Sequence, residues 1–90
     1  FTYAEIEATW QKGRVVPGYP PTLWRKDVCN AWMKRTEHGN TSSVHGWEID
    51  HIIPMSKGGS DNLANLQPLQ WENNRSKGDS LVGNYCKVNG

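Results

Sequence analysis

Hydrophobic and polar positions divide this chain into short elements separated by polar breaks. Residues 2–12 (TYAEIEATWQK) open on Thr-x-x-Glu, the pattern of a reciprocal cap, and set Ile6 and Trp10 four positions apart. That spacing predicts a short amphipathic helix, with Gly13 as its stop. Residues 14–22 (RVVPGYPPT) hold three of the five prolines and Gly18, and read as an extended connector with turns. Residues 23–35 (LWRKDVCNAWMKR) admit two readings. Trp24, Val28, Cys29 and Trp32 fit a helical face, whereas 28–33 fits a buried strand. A strand around 29–34 is preferred, because another strand is already required just before Asp50.

Residues 37–46 are turn-rich and polar, as in an exposed hairpin loop. Residues 47–53 (WEIDHII) alternate and are β-rich, which predicts a strand ended by Pro54 and partnered by 28–35. A loop over 55–60 follows, then a short helical turn over 62–65 that Ser60 or Asp61 can cap. Residues 66–68 break the chain direction. Residues 69–77 (LQWENNRSK) predict a helix stopped at Gly78, and 81–88 are a candidate final strand bringing Tyr85 and Cys86 to the core. The resulting class is α+β, in the order α, ββ, α and the candidate β.

Composition adjusts this picture at a few points. Ninety residues make one domain, 1–90, whose core is too small to bury most of its surface. Five Trp and three Tyr compensate, since large aromatics bury much area through few residues. A net charge of +1 excludes a protein that holds nucleic acid by charge alone. Residues 1–45 carry six Lys/Arg against four Asp/Glu, and residues 46–90 four against five. No apolar run approaches the roughly 20 residues of a membrane span, so no membrane partner is expected. No signal peptide is visible, which fits a cytoplasmic protein, although a start at Phe1 also fits a fragment or processed product. Cys29 and Cys86 are too few for a disulfide framework or a four-thiolate zinc site. Two buried thiols is the preferred reading, a single bridge the alternative.

The chemistry concentrates between Trp47 and Asp79. Metal-assisted phosphodiester cleavage needs a hard cation, a base for water, and a group that holds that base. Asp50 offers a carboxylate oxygen, and His51 beside it a neutral imidazole that accepts a proton. Asn65 offers an amide oxygen that can take the other imidazole N–H and fix its tautomer. Asn74 supplies a second oxygen ligand from the last helix, and Asn73 competes with it from a quarter-turn away. Arg75, Lys77 and, in the loop, Lys57 are cations for a phosphodiester backbone. Glu48 shares a strand face with Asp50 and reads equally as a metal assistant or a salt-bridged surface acid. His38 and His45 read as exposed loop residues, and Trp47 and Trp71 as packing beneath the site.

Taken together, Asp50-His51-Ile52-Ile53-Pro54, Gly58-Gly59, Asn65-Leu66 and the Asn-Arg-x-Lys run at 74–77 resemble the HNH, or ββα-metal, endonuclease family. The resemblance covers about 28–79, and the final run is similar to the HNH domain of CRISPR effector nucleases. It implies a ββα-metal fold in which His51 is the general base, Asp50 and Asn74 hold one divalent metal, and Asn65 orients His51. Asn74 stands where the family often has His, which makes this an HNN variant. Gln70 and Asn73 stand where paired zinc-knuckle cysteines would fall, so no structural zinc is expected there. Oxygen ligands imply Mg2+, with Mn2+, Ni2+ or Zn2+ as alternatives. The implied activity is weakly sequence-specific hydrolysis of DNA, double-stranded before single-stranded, with room for further domains or a guiding partner. A module that keeps this fold and binds nucleic acid without cutting it is the alternative.

Overall fold

The computed structural model describes residues 1–81 and 83–90. Helix α1 spans Tyr3–Trp10. Thr2 caps it as expected: its hydroxyl accepts from the Glu5 N–H while the Glu5 carboxylate accepts from the Thr2 N–H. The other end of α1 is held by Arg25, whose buried guanidinium donates to the carbonyls of Gln11 and Gly13 at 3.0 Å each. A cation on the last carbonyls of a helix satisfies orphan acceptors and opposes the dipole.

Strands β1 (Trp24–Lys26) and β2 (Trp32–Lys34) form an antiparallel hairpin, so residues 23–35 hold two strands rather than one. The sequence pattern missed the turn between them, which Asp27 builds. Its Oδ1 accepts from the N–H groups of Cys29 and Ala31, and Asn30 takes a positive φ of 69°. Asn tolerates that region better than most residues, and Asp readily bonds backbone two residues on.

The expected pairing of 47–53 with 28–35 is not made. Strand β3 (Trp47–His51) pairs instead with β4 (Leu66–Gln70), in the register Trp47↔Gln70 through His51↔Leu66. Pro68 had signalled a break, but it lies in a two-stranded sheet, where every strand is an edge and a missing donor is tolerated. Helix α2 (Trp71–Lys77) follows β4 without a loop, capped by the Gln70 side chain on the N–H groups of Glu72 and Asn73. The ββα unit is therefore β3–β4–α2, over 47–77 rather than 28–79. The helical turn expected near 62–65 is present as a 3-10 turn, Leu63–Asn65.

Trp10, Met33 and Trp47 form the core, with Ile6 and Ile49 against them, and the two indoles lie 5.1 Å apart. The candidate strand over 81–88 includes Val82, outside the described residues, and the described residues around it form no strand. That segment is fastened in another way. Cys86 is bridged to Cys29, which corrects the expectation of two thiols. The bridge closes a loop of 57 residues, a constraint on the unfolded chain worth about 4 kcal/mol. Reduction by dithiothreitol should therefore lower the urea midpoint markedly; an unchanged midpoint would mean that the bridge carries no stability.

Candidate active site

Asp50 and His51 sit at the end of β3, and Asn74 faces them from α2. The three border one cleft of about 430 Å³, together with Pro54, Met55 and Asp79. Asp50 is buried, with its Oδ1 3.1 Å from the Lys77 ammonium and its Oδ2 accepting from Gln67 Nε2, its cross-strand partner, at 2.9 Å. The helix thus returns a cation to the strand that carries the acid. Lys77 also donates to the His51 carbonyl at 2.9 Å and is itself only 3% exposed. This corrects the expectation that Lys77 meets a phosphate backbone, because its ammonium is spent inside the protein.

His51 Nε2 lies 2.7 Å from Asp61 Oδ1. Asn65 was expected in that place and is elsewhere. Its Oδ1 accepts from the Ile53 N–H at 2.8 Å, and its Nδ2 donates to the carbonyls of Ile53 and Ser60. Asn65 acts on the loop rather than on the imidazole: it ties the end of β3 to the segment that carries Asp61. Gly59 belongs to the same tie, since a Cβ there would meet the Ile53 carbonyl oxygen at 1.7 Å. Asp61 escaped sequence reasoning because an Asp before a helical turn reads as a cap. Here that turn has no side-chain cap, and the carboxylate turns to His51 instead.

Asn73 and Asn74 separate cleanly. Asn73 is fully buried: its amide donates to Asp27 and to the Val88 carbonyl, and its Oδ1 accepts from the N–H groups of Lys87 and Val88. Asn74 lines the cleft, and its Nδ2 donates to Glu48 Oε1 at 3.0 Å. That bond fixes the amide orientation and leaves Asn74 Oδ1 with no donor among the described residues. Arg75 is exposed and pairs with the same Glu48 at 3.1 Å, while Lys57 is exposed on the 3-10 turn Met55–Lys57. Partial burial pushes the Glu48 carboxyl up, but the hydrogen bonds from Arg75 and Asn74 and the Arg75 charge outweigh it and hold it below its usual value. The clamp on Asn74 is therefore complete at neutral pH and is lost only as pH falls through that lowered value.

Gln70 and Asn73 are joined by one buried acid. Asp27 Oδ2 accepts from the Gln70 N–H and from Asn73 Nδ2, both at 3.0 Å. Asp27 and the Cys29–Cys86 bridge thereby fasten hairpin, helix and C-terminal segment to one another.

A hard divalent cation fits the donors of this cleft. Each Asp50 oxygen keeps a lone pair beyond its one protein partner, and Asn74 Oδ1 is unclaimed. No group of three His, Cys, Asp or Glu able to hold a metal occurs among the described residues. The donor set thus suits an ion that keeps water and phosphate for most of its ligands, not one caged by protein.

The family model described as HNH endonuclease matches residues 34–80. No curated protein and no solved structure matches the chain. Proteins of that family are usually endonucleases acting on DNA, typically with a divalent metal. The matched segment covers more than half of the chain and contains the whole β3–β4–α2 unit with Asp50, His51, Asn65 and Asn74. The chain belongs to the HNH endonuclease family.

Proposed function

We propose that the protein is a metal-dependent endonuclease that hydrolyses DNA phosphodiester bonds with His51 as general base. The observation that carries this reading is the shared cleft of Asp50, His51 and Asn74, with His51 held at one ring nitrogen by Asp61. An ionised carboxylate only accepts, so Nε2 carries the proton and Nδ1 keeps the lone pair. His51 Nδ1 takes the proton of the attacking water, and Asp61 steadies the imidazolium that forms. Asp50 and Asn74 hold the metal through oxygen, and Glu48 keeps the Asn74 oxygen on the cleft side. The metal, Mg2+ by its donors, supplies Lewis-acid stabilisation of charge on the phosphate oxygens when bound. Arg75 and Lys57 are the exposed cations for the backbone. A site this small reaches few base edges, so cleavage is weakly sequence-specific.

Nicking of supercoiled plasmid across Mg2+, Mn2+, Ni2+ and Zn2+ tests the reading. Nicking in at least one metal and none in EDTA is expected; plasmid binding without nicking in any of them would favour the inactive binding module. Asp61→Ala should lower the rate about ten- to a hundredfold, the usual loss when the partner orienting a working imidazole is removed. A rate equal to wild type would remove Asp61 from the mechanism. The disulfide bears on location as well. Such bridges persist in oxidising surroundings and are rare in reducing cytosol, which favours work outside it over the cytoplasmic expectation.

A further inference from the structure

The outer face of the β1–β2 hairpin carries the same three-residue pattern twice, Trp24-Arg25-Lys26 and Trp32-Met33-Lys34. In each strand the middle residue is buried and the flanking Trp and Lys are half-exposed. The antiparallel register sets Trp24 opposite Lys34 and Lys26 opposite Trp32, so the two patterns interlock as a checkerboard of indoles and ammoniums. Lys26 Nζ lies 4.8 Å from the Trp32 ring centre, and Lys34 Nζ 5.7 Å from that of Trp24. Tyr19, about half exposed, adds a ring 4.6 Å from Trp32. Tyr19, Trp24, Trp32 and His45 line an open cleft of about 200 Å³.

We infer that this face binds a single-stranded stretch of nucleic acid, with bases against the aromatic rings and phosphates on Lys26 and Lys34. Cross-strand cation–π pairs alone would stabilise the hairpin by about 0.5–1 kcal/mol each. They do not account for three large rings left partly open around one cleft, on the hairpin's outer face rather than in the core. The charge selects the occupant. A cluster of aromatic rings would ordinarily suit a quaternary ammonium, but two ammoniums already stand against these rings and repel another cation. Flat rings joined by anions meet both features, as in proteins that bind single strands by stacking within a positive groove. Lys26 also borders a groove of about 420 Å³ with Lys12, Arg14 and Asp27, three cations against one acid. His45 also lines this cleft, its ring edge-on to Trp24 at 5.1 Å, and its Nδ1 is buried without a partner among the described residues.

The position also fits a substrate arm. His45 lies two residues before β3 and His51 ends it, so six residues of chain, about 20 Å at full extension, join the two clefts. About six stacked nucleotides span that distance. The link to cleavage rests on the nuclease reading above, whereas binding itself does not, and the test keeps them apart. Fluorescence anisotropy in EDTA with labelled oligothymidylates of about four and about twelve nucleotides measures binding without cleavage. Tyr19→Ala should weaken the longer oligonucleotide about fivefold to a hundredfold. Lys26→Gln/Lys34→Gln should flatten the slope of log Kd against log salt by about 1.4, for two phosphate contacts on a single strand. Both variants keep the buried residues of the hairpin, so folding is spared, and circular dichroism checks it. In the metal assay the same variants should raise KM for the longer substrate and leave the shorter one unaffected. Wild-type affinity and salt slope in both variants would overturn the inference, as would tighter binding of a trimethyllysine peptide than of the oligonucleotide. Loss of binding in the variants, with no cleavage by any form of the protein, would sustain this surface and overturn the nuclease reading alone.

Discussion

Replacing His51 by alanine should slow phosphodiester cleavage about a hundred- to ten-thousandfold, the range lost with a positioned general base, while leaving the fold intact. The imidazole is about a quarter exposed, and its hydrogen-bond and aromatic partners are themselves peripheral: the exposed Asp61 carboxylate and the N-terminal Phe1 ring 5.9 Å away. The backbone at that position is held independently, by the β3–β4 register and by the Lys77 bond to the His51 carbonyl. A thermal midpoint close to wild type should therefore accompany the loss of rate. Added imidazole should restore part of it, because the rest of the cleft is unchanged. Undiminished nicking by His51→Ala would place the base elsewhere; a collapsed midpoint would mean that the residue is structural.

Lys77→Met should be among the most destabilising single changes in the protein. It leaves Asp50 buried without its cation, and breaking one side of a buried pair costs about 3–5 kcal/mol. At about 4–8 °C of midpoint per kcal/mol for a domain of this size, the fall is about 12 °C or more. Asp50→Ala should cost a comparable amount for the mirror-image reason, since Lys77 then lies buried without its carboxylate. Instability of Asp50→Ala is thus expected with or without metal, and does not by itself indicate a structural metal. The pair is diagnostic where the single change is not. Asp50→Leu/Lys77→Met removes both charges and should recover much of the midpoint, as apolar replacements of buried pairs often do, yet should stay inactive. If the double variant were no more stable than either single one, the ion pair would not be the source of the loss.

Much of the site was legible in the chain. Asp50, His51 and Asn74 border one cleft as the spacing of the motif implied, and the cap of α1 and the stop of α2 fell where Thr2-x-x-Glu5 and Gly78 put them. The partner of His51 was not legible. Asn65 and Asp61 lie four residues apart on one loop, and both offer an oxygen acceptor. Only the closure of that loop on the Ile53 carbonyl, with room for no side chain at Gly59, commits Asn65 to backbone and presents Asp61 to the imidazole. Lys77 was misplaced for a similar reason. A lysine in the last turn of a short helix is ordinarily solvated, and what draws it inward is a carboxylate 27 residues earlier in the chain.

The sequence by itself determined the α+β class, the cap of α1, the stop of α2 and which side chains offer acceptors and oxygen donors. These depend on local matters: capping, side-chain period, and which groups can accept a proton or offer oxygen to a cation. Tertiary structure alone decided that β3 pairs with β4, that Cys29 meets Cys86, that Asp27 fastens Gln70 and Asn73, and that Lys77 neutralises Asp50. Each of these contacts joins residues well separated in the chain, and their polar partners were interchangeable until the fold excluded water and left one donor for each acceptor.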